Sequence, residues 1–327
     1  MRHTIIIFIM LLLISTVSFA MGGEPPAARA VGTPEVRLMT IIGETGSGDS
    51  QFLRPSGIEV LSMPVNLVKF LVCDSGNNRI QAFDSSGNYL SQFGGFGRGD
   101  GAFDSPYDIA VDFSYNIYVT DSGNSRVQKF GSMGNFLIKF GEFGMDSGKF
   151  NDPRGIAVDS WGKVFVVDSR NNRVQKFEDN GSYVQSFGSF GFGVGSFDNP
   201  YGVSMDQQGN IYIADAGNSR IQGLSGFGGS ILAFGRRGTA PGEMVDPQGV
   251  AVDNDYIYIT DTVNNKVQIF NKRGDFLLSF GETGFDDDSF NGPTGIAIDV
   301  NGVLYVSDTN NHRIKIYKVI KPSDPAI

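Results

Sequence analysis

The sequence predicts an all-β fold, a six-bladed β-propeller of four-stranded antiparallel blades in which the N-terminal strand completes the last blade. Three observations carry this. Glycine supplies 44 of the 327 residues and aromatics 12 %, while charged residues make up only 19 %. That balance suits many short strands and tight turns better than long solvated helices. Second, YVTDSGNSRVQKF (118–130) recurs as LVCDSGNNRIQAF (71–83), FVVDSRNNRVQKF (165–177), YIADAGNSRIQGL (212–224), YITDTVNNKVQIF (258–270) and YVSDTNNHRIKIY (305–317). Third, the shared aspartates at 74, 121, 168, 215, 261 and 308 are spaced by 47, 47, 47, 46 and 47 residues, a regular period of the kind that marks propeller blades.

Each unit holds four strand signals in order. A proline at 55, 106, 153, 200, 247 or 293 opens the first, as in PRGIAVD (153–159). The second ends at the shared aspartate, the third reads RVQKF, and the fourth reads FLIKFG (136–141). Turns such as Ser86-Gly87-Asn88 and Met133-Gly134-Asn135 join third to fourth, with glycine free to take positive φ. The first proline interval is 51 because SMPVNL (62–67) adds residues, and Glu59 in that unit is expected to reflect a first strand shifted by this insertion. Unit six ends at its third strand. IIGETG (41–46) matches SFGETG (279–284), so the missing strand is expected from the N-terminus, leaving no long open edge.

The propeller spans 36–319 on this reading, with a tail at 320–327. Before it, Arg2 and His3 precede an apolar run from Ile5 to Phe19, and Ser18-Phe19-Ala20 offers small residues for cleavage. Residues 1–20 read as a secretory signal peptide and 21–35 as a Pro/Ala-rich linker. The protein is expected outside the cytoplasm, secreted or periplasmic. An uncleaved signal would make 1–20 a membrane anchor; the mature chain offers no spanning segment.

These residues resemble the NHL repeat family, here in the form of a secreted bacterial-type propeller. The family pattern runs P-x-G-(I/V)-A-V-D, then Y-V-x-D-x-x-N-x-R-(I/V)-Q-x-F, then a glycine-rich fourth strand. The resemblance implies six blades and leaves function open, since relatives include RNA- and protein-binding domains, sensor domains, an amidating lyase and, in wider kinship, calcium-dependent lactonases.

Repetition separates scaffold from site. Features present in all units serve packing common to all blades, and a site in a single chain must depart from the repeat. The pairs Asp74/Arg79, Asp121/Arg126, Asp168/Arg173, Asp215/Arg220, Asp261/Lys266 and Asp308/Arg313 are therefore scaffold, with Lys266 lacking the guanidinium fork. Strings such as QFGGFGRGDGAF (92–103) link blades, their phenylalanines packing between blades. Cys73 reads as a small buried filler, and Trp161 lies in a turn on the opposite face. The residues after the prolines do vary: Ser56, Tyr107, Arg154, Tyr201, Gln248 and Thr294. Arg154 falls between Tyr107 and Tyr201 of adjacent blades, Asp108 replaces a repeat glycine, and Arg170 replaces Gly76, Gly123 and Gly217 on the same face. Tyr107, Asp108, Arg154, Arg170, Tyr201 and Gln248 form the candidate ligand-binding site.

Composition excludes several chemistries. One cysteine and two histidines rule out a disulfide framework and a four-ligand His/Cys zinc site, and with His3 in the signal segment a three-ligand one as well. A net charge of −9 argues against nucleic acid as partner. His312, outside the signal segment, has no surrounding catalytic motif. The expected function is non-catalytic binding of a protein, peptide or small anionic ligand at the channel mouth, by a monomer without a cofactor. The alternative is a metal-assisted hydrolase or lyase of lactonase type, with Glu59 and Asp108 as calcium ligands.

Overall fold

The computed structural model describes residues 32–65 and 67–322. The expected signal segment and most of the linker and tail lie outside them. Six four-stranded antiparallel sheets make up the described residues, five of them ordered from inner to outer strand along the chain. In blade 2 these are Pro106–Val111, Ile117–Asp121, Arg126–Phe130 and Phe136–Phe140. Blade 6 contributes Ile296–Ile298, Val303–Asp308 and Arg313–Ile320, and its outer strand is Glu35–Ile42 from the N-terminus. That strand pairs antiparallel, Glu35 opposite Ile320 and Ile42 opposite Ile314. Inner strands touch their neighbours in blade order, and the first touches the sixth, closing the ring.

Second and third strands are buried along nearly their whole length, because each lies between two neighbouring blades. The core is accordingly a set of clusters between blades. Phe52, Phe103, Phe150, Phe197 and Phe290, with Met244 in the remaining blade, are wholly buried there. Phe150, for instance, sits 5.4 Å from the Phe177 ring, and a Cβ on Gly141 (φ +88°) would lie 2.3 Å from its edge. Glycine there answers both the backbone and the close approach.

The buried aspartate ties each blade's connecting segment to its sheet. In blade 2, Asp121 accepts from Arg126 Nε at 2.7 Å, from Asn124 and from Gln128. Arg126 then donates to the carbonyls of Arg98, Gly99 and Ala102 in the segment leading into the blade. The same 2.7 Å pair recurs at Asp74, Asp168, Asp215 and Asp308, whereas Lys266 stands 3.7 Å from Asp261. Burial nevertheless pushes the Asp121, Asp168 and Asp261 carboxyls up despite these partners, the desolvation cost expected of buried ion pairs. Between blades, Ser75, Ser122 and Ser169 donate at 2.5 Å to the carbonyls of Pro106, Pro153 and Pro200.

Two sequence expectations need correction. Glu59 does not mark a slipped strand. Ile58 pairs with Val72 and Glu59 with Leu71, the same offset from the shared aspartate as Ile109–Val119 and Ala110–Tyr118. The irregularity falls after Val60, so the insertion is absorbed at the far end of the hairpin. Nor do all phenylalanines of the linking strings pack between blades. Phe103, Phe150, Phe187, Phe197 and Phe290 are buried, but Phe96, Phe143, Phe190, Phe192 and Phe285 face solvent.

Candidate functional site

Inner strands begin, and second strands end, on one face of the disc, here the mouth face. The residue before each inner-strand proline has a left-handed backbone: Arg54, Ser105, Asp152, Asn199 and Asp246 all have φ between 47 and 59°. This kink turns the residue after the proline toward the axis, which is why six successive side chains ring the channel mouth.

Four of those side chains meet. The Arg154 guanidinium lies 4.5 Å from the Tyr107 ring centre and 5.0 Å from that of Tyr201, a cation held between two aromatic faces. The Tyr107 and Tyr201 rings are 6.1 Å apart. Tyr107 donates its hydroxyl across the axis to Gln248 Oε1 at 3.1 Å, and Gln248 Nε2 donates to Asp246 at 2.8 Å. Arg154 donates from a terminal nitrogen to Asp152 Oδ2 at 2.9 Å, with its Nε 2.9 Å from Oδ1. The Nε–Oδ1 contact is ionic, since that N–H makes no hydrogen bond. Burial opposes the Arg154 charge, but its surroundings, with Asp152 the ionised partner, outweigh it and raise the guanidinium above its ordinary value. Burial raises the Tyr107 phenol as well, keeping it a neutral donor.

This cluster separates two cavities. Outside it lies a vestibule of about 750 Å³. Arg54, Arg154 and Arg170, the rings of Tyr107, Tyr201 and Phe143, and several hydroxyls line it, with Asp152 as the acid among the lining residues. Arg170 is exposed and stands 3.6 Å from Asp152, so this carboxylate serves both blade 3 arginines. Inside lies a channel of about 220 Å³ lined by glycine backbone, aliphatic side chains, Ser204, Glu59 and Asp108; Tyr107 and Gln248 border both spaces.

The channel holds its acids against their ionisation. Burial pushes the Glu59 carboxyl up to about 8, helped by neighbouring Asp108 and opposed by backbone N–H groups of Val111 and Val60. Burial pushes Asp108 up to about 7, opposed by N–H donors of Ile156 and Ile109. Asp108 fits because Gly57 of the preceding blade leaves it room: a Cβ on Gly57 would lie 2.2 Å from Asp108 Oδ1. No group of three His, Cys, Asp or Glu residues suited to a metal ion is present among the described residues.

All six candidate residues therefore gather near the axis, but not in one space. Tyr107, Arg154, Arg170, Tyr201 and Gln248 line the vestibule, and Asp108 lies behind the cluster in the channel. Sequence reasoning missed Arg54 and the two orienting acids, Asp152 and Asp246. The signal was present, an acid two residues before the variable residue in blades 3 and 5. His312 is structural, its Nδ1 accepting the Arg54 backbone N–H at 2.9 Å. Cys73 is wholly buried, and Trp161 is exposed on the far face.

Fold and axial site together define a single-chain β-propeller with an asymmetric mouth. The chain belongs to the NHL repeat family, whose model matches residues 103–130, 150–177, 197–224, 244–270 and 290–317. The first blade, with its insertion, lies outside those matches. Among curated proteins, the RING finger protein nhl-1 of Caenorhabditis elegans is 37 % identical over 82 residues, which cover 25 % of this chain and 8 % of that protein. Three solved propellers show the same fold. Virginiamycin B lyase from Staphylococcus aureus with quinupristin has a TM-score of 0.60 and 14 % identity, over 88 % of this chain and 100 % of that one. A gluconolactonase from Xanthomonas campestris has 0.60 and 14 %, over 89 % and 91 %. An auxiliary nutrient binding protein from Bacteroides thetaiotaomicron has 0.64 and 13 %, over 88 % and 77 %. Among the described residues no helix is long and apolar enough to cross a membrane.

Proposed function

We propose that the protein is a non-catalytic, extracytoplasmic binding propeller that captures an anionic group, carried by a peptide, protein or small molecule, in the vestibule of the mouth face. One observation carries this reading. In a chain of net charge −9, three arginines converge on a single cavity whose lining includes one acid. Arg154 is held rigid between two tyrosines, and Arg170 stays exposed with free donors for a carboxylate or phosphate. Preorganisation of this kind limits the entropy lost on binding. Export rests on the residues of segment 1–20, and mass spectrometry of the native chain beginning near Met21 is the check. Binding is tested by calorimetry with peptides ending in a free carboxylate and their amidated counterparts. The carboxylates bind and the amides do not; equal binding of both refutes the reading.

A second reading comes from the channel, where Glu59 and Asp108 face one small space. It makes the protein a metal-assisted hydrolase or lyase, the activities carried in the names of two similar folds. Two features weigh against it. The lyase's inactive form is a histidine-to-alanine variant, whereas His312 here is committed to blade 1. The Tyr107–Gln248 bridge also stands between vestibule and acids. Under the binding reading EDTA leaves the melting temperature unchanged; a fall restored by calcium favours the hydrolase, since a ligand at a hundredfold excess over Kd adds about 2.7 kcal/mol.

A further inference from the structure

The rim of the same face carries aromatic residues that the fold does not require. Each segment linking two blades forms a bridge between an outward residue and the buried core residue: Thr45–Phe52, Phe96–Phe103, Phe143–Phe150, Phe190–Phe197, Arg237–Met244 and Thr283–Phe290. The buried partners are Phe in five blades and Met in one. The outward partners are Thr, Arg and Thr at three junctions, so the bridge forms without an apolar side chain there. At the three consecutive junctions around blades 2 and 3 they are Phe96, Phe143 and Phe190, which are 78, 72 and 63 % exposed. Two residues further on, Met145 and Phe192 are exposed as well, and Val194 follows. The Phe190 and Phe192 rings pack edge to face at 5.9 Å while both face solvent.

These side chains follow one another along one arc of the rim, while Phe285, at the junction of blades 5 and 6, stands apart from them. They occupy adjacent junctions, and Phe143, at the middle one, also lines the vestibule beside Arg154 and Arg170 of blade 3. Apolar side chains gathered along one rim beside charge mark an interaction site, whereas isolated exposed apolar residues are ordinary. The surrounding charges restrict the occupant. Glu142 and Asp146 flank Phe143 and share Lys149, and Asp100, near Phe96, pairs with Lys139, so the charges beside the arc largely neutralise one another. The vestibule arginines instead complement a carboxylate.

We propose that the arc from Phe96 through Phe143 to Phe190 and Phe192 is a docking surface for a peptide segment of a protein partner, whose aromatic or aliphatic side chains lie on the arc while its carboxylate reaches Arg154 and Arg170. The inference rests on the binding role proposed above and names the ligand class. Phe143, shared by rim and vestibule, is the centre of the contact, where aromatic residues contribute most to affinity.

The test is display selection of random decapeptides with free C-termini on the immobilised protein, followed by affinity measurement for the enriched peptides. Three variants are compared: wild type, Phe143→Ser/Phe190→Ser/Phe192→Ser, and Arg154→Ala/Arg170→Ala. All altered phenylalanines are exposed, so thermal melting should confirm an unchanged fold. Expected is enrichment of peptides with an aromatic or aliphatic residue near an acidic or terminal carboxylate, each variant weakening binding about tenfold or more. Peptides that need the arginines but ignore the phenylalanine changes overturn the docking surface and leave the binding role standing. A footprint on the Trp161 face, or no enrichment at all, overturns both. Loss of a dimer in the phenylalanine variant, seen by sedimentation, makes the occupant a second copy and overturns the peptide assignment; vesicle binding lost in that variant does the same in favour of lipid.

Discussion

Two rings share the mouth face, and they obey opposite rules. The outer one repeats a single solution: Asp74, Asp121, Asp168, Asp215 and Asp308 each hold an arginine at 2.7 Å, and that arginine ties down the segment leading into the blade. The inner one, Ser56, Tyr107, Arg154, Tyr201, Gln248 and Thr294, repeats nothing but its backbone. The contrast has a physical origin. A side chain between two blades meets the same neighbours six times over, so one chemistry suits all positions. Around the axis six side chains share one space, and six copies of Arg154 would place six charges there. Variation in the inner ring is therefore demanded by convergence and available for function.

Removing strand Glu35–Ile42 should have the largest effect, because it opens the ring on which both sets depend. The lost burial is on the order of several kcal/mol at about 25 cal/mol per Å², a large share of a domain's net stability. Soluble protein with an unchanged melting temperature would contradict the closure seen in blade 6.

Next come two arginines expected to act oppositely. Arg79→Ala leaves the buried Asp74 without its cation and frees the carbonyls of Ser47, Gly48 and Gln51. It should cost about 3–5 kcal/mol of stability and leave ligand affinity intact, since that segment lies away from the aromatic arc. Arg154→Ala should weaken binding of an anionic ligand by about 1.5–3 kcal/mol while costing only about 1 kcal/mol of stability, the worth of its aromatic contacts. Paired calorimetry and thermal melts check both, and parallel losses in the two variants would erase the distinction between the rings.

The channel acids should reveal themselves through pH. Both carboxyls titrate higher in the folded chain than in the unfolded one, Glu59 at about 8 and Asp108 at about 7. Their protonated forms are the ones the fold prefers, so the stability they contribute is present at low pH and lost as pH rises through these values. Glu59→Gln and Asp108→Asn should therefore melt higher than wild type at pH 8.5 and alike at pH about 4. A wild-type advantage at pH 8.5 would show that the carboxylates hold a cation.

The smallest effect tests the one break in the outer ring's glutamine series. Gln81, Gln128, Gln175, Gln222 and Gln268 each donate to the shared aspartate, but blade 6 has Lys315. It is wholly buried, donates to the carbonyls of Asp286, Asp287 and Ser289, and burial, with Arg313 nearby, lowers it to about 8. A base whose folded value lies below its unfolded one gains stability as pH rises between the two, here from about 8 toward the ordinary lysine range. Lys315→Gln should raise the melting temperature slightly at pH 7 and flatten its dependence above pH 8. A lower melting temperature at pH 7 would show that the three carbonyl bonds outweigh the buried charge.

Periodicity made most of this molecule legible. The interval of about 47 residues, the tie between strand and connecting segment, and the donated N-terminal strand follow from local patterns that recur, and recurrence reports what every blade interface needs. The scaffold role of Asp121 and Arg126 needed no coordinates for that reason, and neither did the prominence of Tyr107, Arg154 and Tyr201. Glu59 was harder. An acid in a strand of alanines beside an insertion reads as a slipped register until pairing shows the slip lies beyond Val60. Phe96 and Phe143 were harder still, since a Phe-Gly string does not say which phenylalanine turns inward.

The architecture and the list of residues that depart from it can be read along the chain, because strand period, turn chemistry and repeat length act over a few residues at a time. Which of those departures meet is a matter of how the six blades close. Ring closure brings Tyr107 of blade 2 against Gln248 of blade 5, 141 positions away along the chain. It also turns Arg154 inward between two rings, sets Asp152 as partner to two arginines, and puts Asp108 behind the cluster instead of within it. Those distances depend on blade twist and ring diameter, which are properties of six interfaces summed, and no local window of sequence contains them.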